Sequence, residues 1–359
     1  MMFDNLGPEN GEHWPVYVFQ FRNGIEKANS ERRGHPTVQM WRRDFVECLE
    51  RSSLIHSRLD EAMSLKYRNL PEYIYKYRRD SSFSRDNLRT DTVWFSSPEA
   101  YNDPYDCAFK ITDHRVVQAA ERRIADVFVT HYHLEGVVSA ERIAEAKNGE
   151  KPLQAIAELV SELNSAPGSN PKRMAEFTSI VTPNLIRDVL STVRQWRAVT
   201  KVCSFSAIHD SVLMWSHYAD NHRGFCIEYG LKGLVPDHPF CKFLYPVIYS
   251  EALYDLTPWA EALVHPDRKN FNTDCLILGV LYKFDGWQYE DEWRLVEATQ
   301  TVIADHNFST PKPTRVFLGS RMDETSRREL LILCGEKKIQ VHQMRLAKDR
   351  FQLLSERLQ

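Results

Sequence analysis

The chain is 359 residues long, with a net charge of −3 and 43% apolar residues. That length supports a substantial core and exceeds one small domain, the charge excludes a generally basic nucleic-acid binder while allowing a local patch, and no window approaches about 18 uninterrupted apolar residues, which excludes a membrane-spanning helix. Seven scattered cysteines, none paired at a two-residue spacing, exclude a zinc knuckle and read as reduced thiols of a soluble cytoplasmic protein.

Residues 1–15 are polar and acidic, with no basic flank leading into an apolar run, so no leader is expected. The β-branched and aromatic run 16–21 predicts a short strand. Across 37–65 the positions Met40, Trp41, Phe45, Cys48, Leu49, Ile55, Leu59 and Met63 recur at three- and four-residue steps, which predicts one amphipathic helix or two. Asn69, Leu70 and Pro71 end it. Strands are predicted at 73–77 and 92–96 with a short helix at 84–88 between them, followed by proline and Asx turns at 97–98 and 101–104. Residues 112–198 read as an inserted helical layer, with periodic segments at 116–132, 140–147, 153–164 and 172–197.

Strands return at 202–205, 224–229 and 243–249. After a helical stretch ending near Tyr282 come strands at 293–297 and 314–318, a helix at 323–333 opening on the acidic cap Asp323, and strands at 338–344 and 351–354. No internal repeat, low-complexity tract or glycine-rich phosphate loop interrupts this order. The expected class is α+β: a mixed or antiparallel sheet with segregated helices. Residues 1–70 form an N-terminal helical extension and 71–359 the main domain, with the helical insertion inside it.

Three clusters stand apart from ordinary core patterning: Tyr75-Lys76-Tyr77-Arg78; Cys203 to Ser206 running on to 214–224; and Trp287 to Arg294. Each sets aromatic rings around Arg, Ser, His or Glu. A core has no use for that many ionisable groups, because burying charge without a partner is costly. Folded together, the clusters predict a polar site with aromatic walls.

With Trp94 to Pro98, Asn102 to Asp106, Met214 to Ala219, His222 to Phe225 and Tyr289 to Arg294, these motifs make the stretch 71–354 resemble a bacterial family called domain of unknown function 2971. A wider resemblance concerns the chemistry. An Arg on a first strand, Ser-x-Ser on a later strand and Glu-x-Glu further on are similar to the arginine–serine–glutamate arrangement of ADP-ribosyltransferases. This chain departs from that pattern in having Phe205 between the serines and a long helical insertion between the first two elements. The resemblance implies NAD as substrate and no metal. Arg78, with Tyr77 beside it, would engage the phosphates or ribose; Ser204 and Ser206 would steady the nicotinamide half; Glu292 would accept a hydrogen bond from the nicotinamide ribose.

The residue types suit that chemistry. Cleaving the nicotinamide–ribose bond develops oxocarbenium character, which a fixed carboxylate, here Glu292, stabilises, more so among dry aromatic walls. Glu290 and Glu292, two apart on an expected strand, would share a face with Asp291 opposite. A close pair of carboxylates raises one pKa, which suits Glu290 as the base that activates an acceptor. Equally, both carboxylates pair with Arg78, Arg294 or Lys283 in a purely structural network. Arg78 offers a bidentate clamp for phosphate or an ordinary salt bridge. Trp215, His217 and Tyr218 on one helical turn would sandwich a nicotinamide or adenine ring, or belong to the core.

The expected function is therefore an NAD-using ADP-ribosyltransferase or NAD glycohydrolase acting on a macromolecular acceptor, protein or nucleic acid, in the manner of a toxin or anti-phage effector. The N-terminal helix would dock a protein partner. One alternative is a metal-dependent nuclease or phosphoesterase using Asp103, Asp106, His217 and Glu292. The other is a non-catalytic sensor that binds a nucleotide or a partner.

Overall fold

The computed structural model describes residues 36–52, 57–162, 180, 183–184, 186–189, 191–192, 195–196, 198–264, 272–299 and 301–358. The strand expected at 16–21 lies outside the described residues, as does much of the helix expected at 172–197. In chain order the strands are β1 (Tyr73–Arg78), β2 (Thr92–Phe95), β3 (Phe109–Lys110), β4 (Thr200–Ser206), β5 (Phe225–Gly230), β6 (Leu244–Pro246), β7 (Ile248–Ser250), β8 (Tyr254–Asp255), β9 (Tyr282–Phe284), β10 (Glu292–Ala298), β11 (His306–Ser309), β12 (Arg315–Leu318), β13 (Gln340–Leu346) and β14 (Leu353–Arg357).

Eight of these join in the order β14-β13-β12-β5-β1-β4-β10-β6. All pairings are antiparallel except β12 with β13, so the class is α+β with a mixed, mostly antiparallel sheet. Its strands alternate as half-buried sheets require. Ile74, Phe205, Ile227, Leu295 and Val316 point into one core with Leu330 and Leu333 of the helix Glu324–Lys337. Tyr75, Tyr77, Cys226 and Phe317 point to the other face, against Met214 and Trp215 of the helix Val212–Tyr218.

Local chemistry sets the helix starts. The carboxylate of Asp323 accepts from the Ser326 N–H, Ser81 caps the helix Ser82–Thr90 through the Ser84 N–H, and Ser211 caps Val212–Tyr218 through the Met214 N–H. The region 37–65 holds two helices, Pro36–Glu50 and Leu59–Arg68. They are packed into the body of the protein: Phe45, Leu49 and Ala62 share a core with Leu256, Trp259 and Leu278, and Trp41 stacks on Trp293 at 6.0 Å. The strand expected at 243–249 is cut in two. Pro246 pairs with Trp293 at the sheet's edge, where a missing N–H is tolerated, and the chain then leaves to pair β7 with β9.

One corner matters for the site. Asp220, Asn221 and His222 all have positive φ, at 49°, 52° and 67°, and lead into Gly224. A Cβ on Gly224 would stand 2.1 Å from the Arg78 carbonyl oxygen, so only glycine lets this turn close against β1.

Candidate active site

β1 and β4 are neighbours in the sheet, joined through the Tyr75–Ser206 pair. Beside that pair, where Lys76, Tyr77 and Arg78 come near Cys203 and Ser204, lies a cavity of about 470 Å³. Its walls draw on all three sequence clusters and on Trp94, Tyr101 and Asp106. That volume falls in the range of small-molecule sites.

The carboxylate end is the more elaborate. Glu292, the first residue of β10, is 2% exposed. Its Oε1 accepts from Arg294 Nε at 2.8 Å and its Oε2 from Lys283 Nζ at 2.7 Å. Glu290, equally buried, accepts from Lys283 Nζ at 2.6 Å on one oxygen and from the Tyr218 hydroxyl at 2.6 Å on the other. Asp106 completes the group through Arg294, whose Nη1 also donates to the Val280 carbonyl at 2.7 Å. Three buried carboxylates thus face two buried cations, and one negative charge is in surplus. Burial raises the Glu292 pKa, but Arg294 and Lys283 outweigh it and hold the group well below the usual carboxylate range. Burial and then the Glu292 charge push Glu290 up, against Lys283 and Tyr218. Glu290 is the surplus carboxylate.

The backbone corrects one expectation. Glu290 and Glu292 do not share a strand: Glu290 closes the 3-10 turn Asp285–Glu290, Asp291 sits at φ 41°, and only then does β10 begin. The two side chains converge on Lys283 rather than by strand alternation. Asp291 instead bonds Arg42 at 3.0 Å.

The wall also carries the cationic side chains Lys76 and Arg78. Lys76 Nζ donates to the Ser204 carbonyl at 2.6 Å, and burial pushes its pKa down. Arg78 is half-buried; its Nη2 lies 3.4 Å from Asn87 Oδ1, and its buried Nε has no hydrogen-bond partner among the described residues. An unpartnered guanidinium N–H in a cavity wall is what a ligand anion would take up.

The other expected residues divide. Tyr77 lines the cavity and donates to the Ile208 carbonyl at 2.7 Å. Ser204 lines it, and its hydroxyl donates to that of Tyr101 at 3.3 Å. Ser206 also lines the cavity; its Oγ donates to the Glu290 carbonyl at 2.6 Å and accepts from the Ile208 N–H at 3.0 Å, which tethers the carboxylate turn. Trp215 corrects its expectation. It is fully buried, donates Nε1–H to the His209 carbonyl at 2.7 Å, packs edge-on against Tyr77, and lies outside the cavity wall. His217 stands exposed at the mouth, 3.1 Å from the Tyr289 hydroxyl, and Tyr218 forms the wall. Asp103 is a turn residue that accepts from the Tyr105 N–H at 2.8 Å and is not part of the wall.

Sequence reasoning gave Lys76 no role beyond its cluster and missed Tyr101 and Tyr249, whose hydroxyl accepts from the Glu292 N–H at 2.8 Å. It offered Lys283 as a pairing partner and Asp106 as a metal ligand or a backbone cap. The available signal was a lone lysine inside the apolar run Leu281 to Phe284.

Residues 214–295 match the model of the family Protein of unknown function (DUF2971). The family resemblance of the motifs is borne out over that segment, which holds Tyr218, Lys283, Glu290, Glu292 and Arg294 but none of Lys76, Arg78, Asp106 and Ser204. Glu290 and Glu292 with their cations Lys283 and Arg294 thus fall within the DUF2971 match, and Asp106, Lys76 and Arg78 outside it. No curated protein and no solved structure matches the chain. No helix among the described residues is long and apolar enough to cross a membrane.

Proposed function

We propose that the protein binds NAD, cleaves its nicotinamide–ribose bond and passes ADP-ribose to a macromolecule or to water. What supports this reading is a single cavity whose wall brings the cations Arg78 and Lys76 together with the carboxylates Glu290 and Glu292 and the hydroxyls of Ser204 and Tyr218. A dinucleotide has the complementary form, an anionic pyrophosphate and a ribose that becomes cationic as its bond to nicotinamide breaks. The pyrophosphate goes to Arg78, whose free Nε–H and Nη2 donate together. The C1′–N bond breaks with its electron pair leaving on nicotinamide, and the surplus negative charge of the carboxylate end stabilises the oxocarbenium ion. An acceptor hydroxyl or water forms the new C1′–O bond, and its proton passes to Glu290. The metal-dependent alternative is disfavoured by geometry, since Asp106 and Glu292 are already bonded to Arg294. A cytoplasmic toxin or defence effector is the setting such chemistry suits.

Mass spectrometry of the protein with NAD and cell lysate tests the reading. Nicotinamide release is expected from the wild type, with or without an ADP-ribose added to an acceptor. Glu290→Gln lowers turnover about 10²- to 10⁴-fold, and Arg78→Ala weakens NAD binding about tenfold or more. An NAD-induced rise in melting temperature without any product would identify a sensor and end the enzymatic reading.

A further inference from the structure

Lys283 reaches all three carboxylates of the site. Its Nζ lies 2.6 Å from Glu290, 2.7 Å from Glu292 and 3.7 Å from Asp106, and it sits 5.3 Å from the centre of the Trp287 ring. It arrives on β9, outside the large sheet that carries Glu292 and Arg294. Its ladder partner Tyr249 on β7 grips the Glu292 backbone, so the β7–β9 pair holds the start of β10 by main chain and side chain together. An ammonium group has three donors, and two of them make short bonds to different carboxylates. Arg294 bonds Glu292 and Asp106 but not Glu290. Among the described residues Glu292 therefore has two cations and Glu290 only one, shared, plus the Tyr218 phenol. Without the ammonium bridge the two carboxylates would repel or share a proton, and the turn 285–290 would lose its side-chain anchor to β9.

We propose that Lys283 is the positioning residue of this site, an ammonium bridge that aims Glu290 and Glu292 into the cavity and leaves Glu290 as the carboxylate that exchanges a proton with the acceptor. The assignment rests on the reading of Glu290 as the base. The charged and titratable groups around Glu290 come from every packed element: Lys283 from β9, Glu292 with Arg294 behind it from β10, Tyr218 from the helix Val212–Tyr218, Tyr249 from β7, Asp106 from the turn before β3, and Tyr289 from its own turn. Two of them, Lys283 and Tyr218, bond it directly.

The test begins without NAD. The Glu290 carboxyl, assigned by its loss in Glu290→Gln, is titrated by carbon NMR in the wild type and in Lys283→Met. Removing the bridge raises the Glu290 midpoint by about one pH unit or more, a tenfold change in proton affinity, and Lys283→Arg brings it back toward the wild type. In turnover, the acid limb of kcat moves by the same amount while KM for NAD changes less than kcat. A folded Lys283→Met protein with an unmoved Glu290 midpoint overturns the proposal, since a merely structural lysine would lower stability alone. If that variant does not fold, Glu292→Gln decides: removing the like charge and freeing Lys283 for Glu290 lowers the midpoint by about one unit, and an unmoved midpoint overturns the proposal. A wild type that releases no nicotinamide defeats the NAD reading alone, because the titration does not depend on it.

Discussion

Lys66 offers the most direct test of the electrostatics in this fold. It lies on the helix Leu59–Arg68, is 3% exposed and has no carboxylate partner among the described residues; its Nζ donates to the Cys241 and Lys242 carbonyls at 3.1 and 2.7 Å and sits 4.1 Å over the Tyr245 ring. Burial, aided by Lys242, brings its pKa from 10.5 down to about 7. The folded pKa lies below the unfolded one, so between those values the unfolded chain binds the extra proton and stability rises with pH. The interval from 10.5 to about 7, at about 1.4 kcal/mol per pH unit, puts a ceiling of roughly 5 kcal/mol on the penalty, present in full below the folded pKa. Lys66→Met removes that penalty and also two carbonyl bonds of about 1 kcal/mol each and a cation–π contact of similar size. The variant is expected to be more stable than the wild type by about 1–3 kcal/mol at pH 6, to lose roughly 4 kcal/mol of that relative standing by pH 10, and to end less stable there. Urea unfolding followed by circular dichroism at several pH values measures the difference, in which all other titrating groups cancel. A difference that stays flat from pH 6 to 10 refutes the reasoning, because a solvated or counter-charged Lys66 gives no pH dependence.

Trp215→Phe is expected to cost about 1–3 kcal/mol, from lost volume and the lost bond to the His209 carbonyl, while leaving the NAD-induced thermal shift intact; a variant with normal stability and a diminished shift would return Trp215 to the ligand site. Gly224→Ala drives a methyl group into the Arg78 carbonyl and is expected to destabilise by about 3 kcal/mol or more in the same unfolding assay; a neutral result would mean that the turn at 220–224 relaxes away from β1.

Much of the fold is legible in the sequence because its elements carry clean periods. The strands at 73–78 and 225–230 and the Asp323-capped helix read from alternation and cap chemistry alone. Pro246 was a signal too, since a proline inside an apparent strand belongs at an edge. The site is legible only in outline. Arg78, Ser204 and the two glutamates lie in the clusters, but the partners that decide their roles are distant: Asp106 meets Arg294 across 188 positions, and Lys283 has no motif around it. Nothing local announces the left-handed Asp291 that takes Glu290 out of the strand. Trp215 and Ser206 look like ligand groups by type and neighbourhood; only tertiary packing shows that backbone carbonyls already claim their polar atoms.

The register of the large sheet also governs how the protein comes to be folded. Tyr75 pairs with Ser206 and Glu228, and Ser206 with Glu292, so the strands that wall the cavity are joined only after long stretches of chain have been synthesised and closed into loops. Pairings of that reach make folding slow, because loop entropy is lost before the contacts return it. The residues of the cavity wall come from distant parts of the chain, and no single stretch such as 214–295 holds them all. A truncated or partly synthesised chain therefore carries the ionisable groups without the site, and whatever the cavity does begins only with the complete ladder.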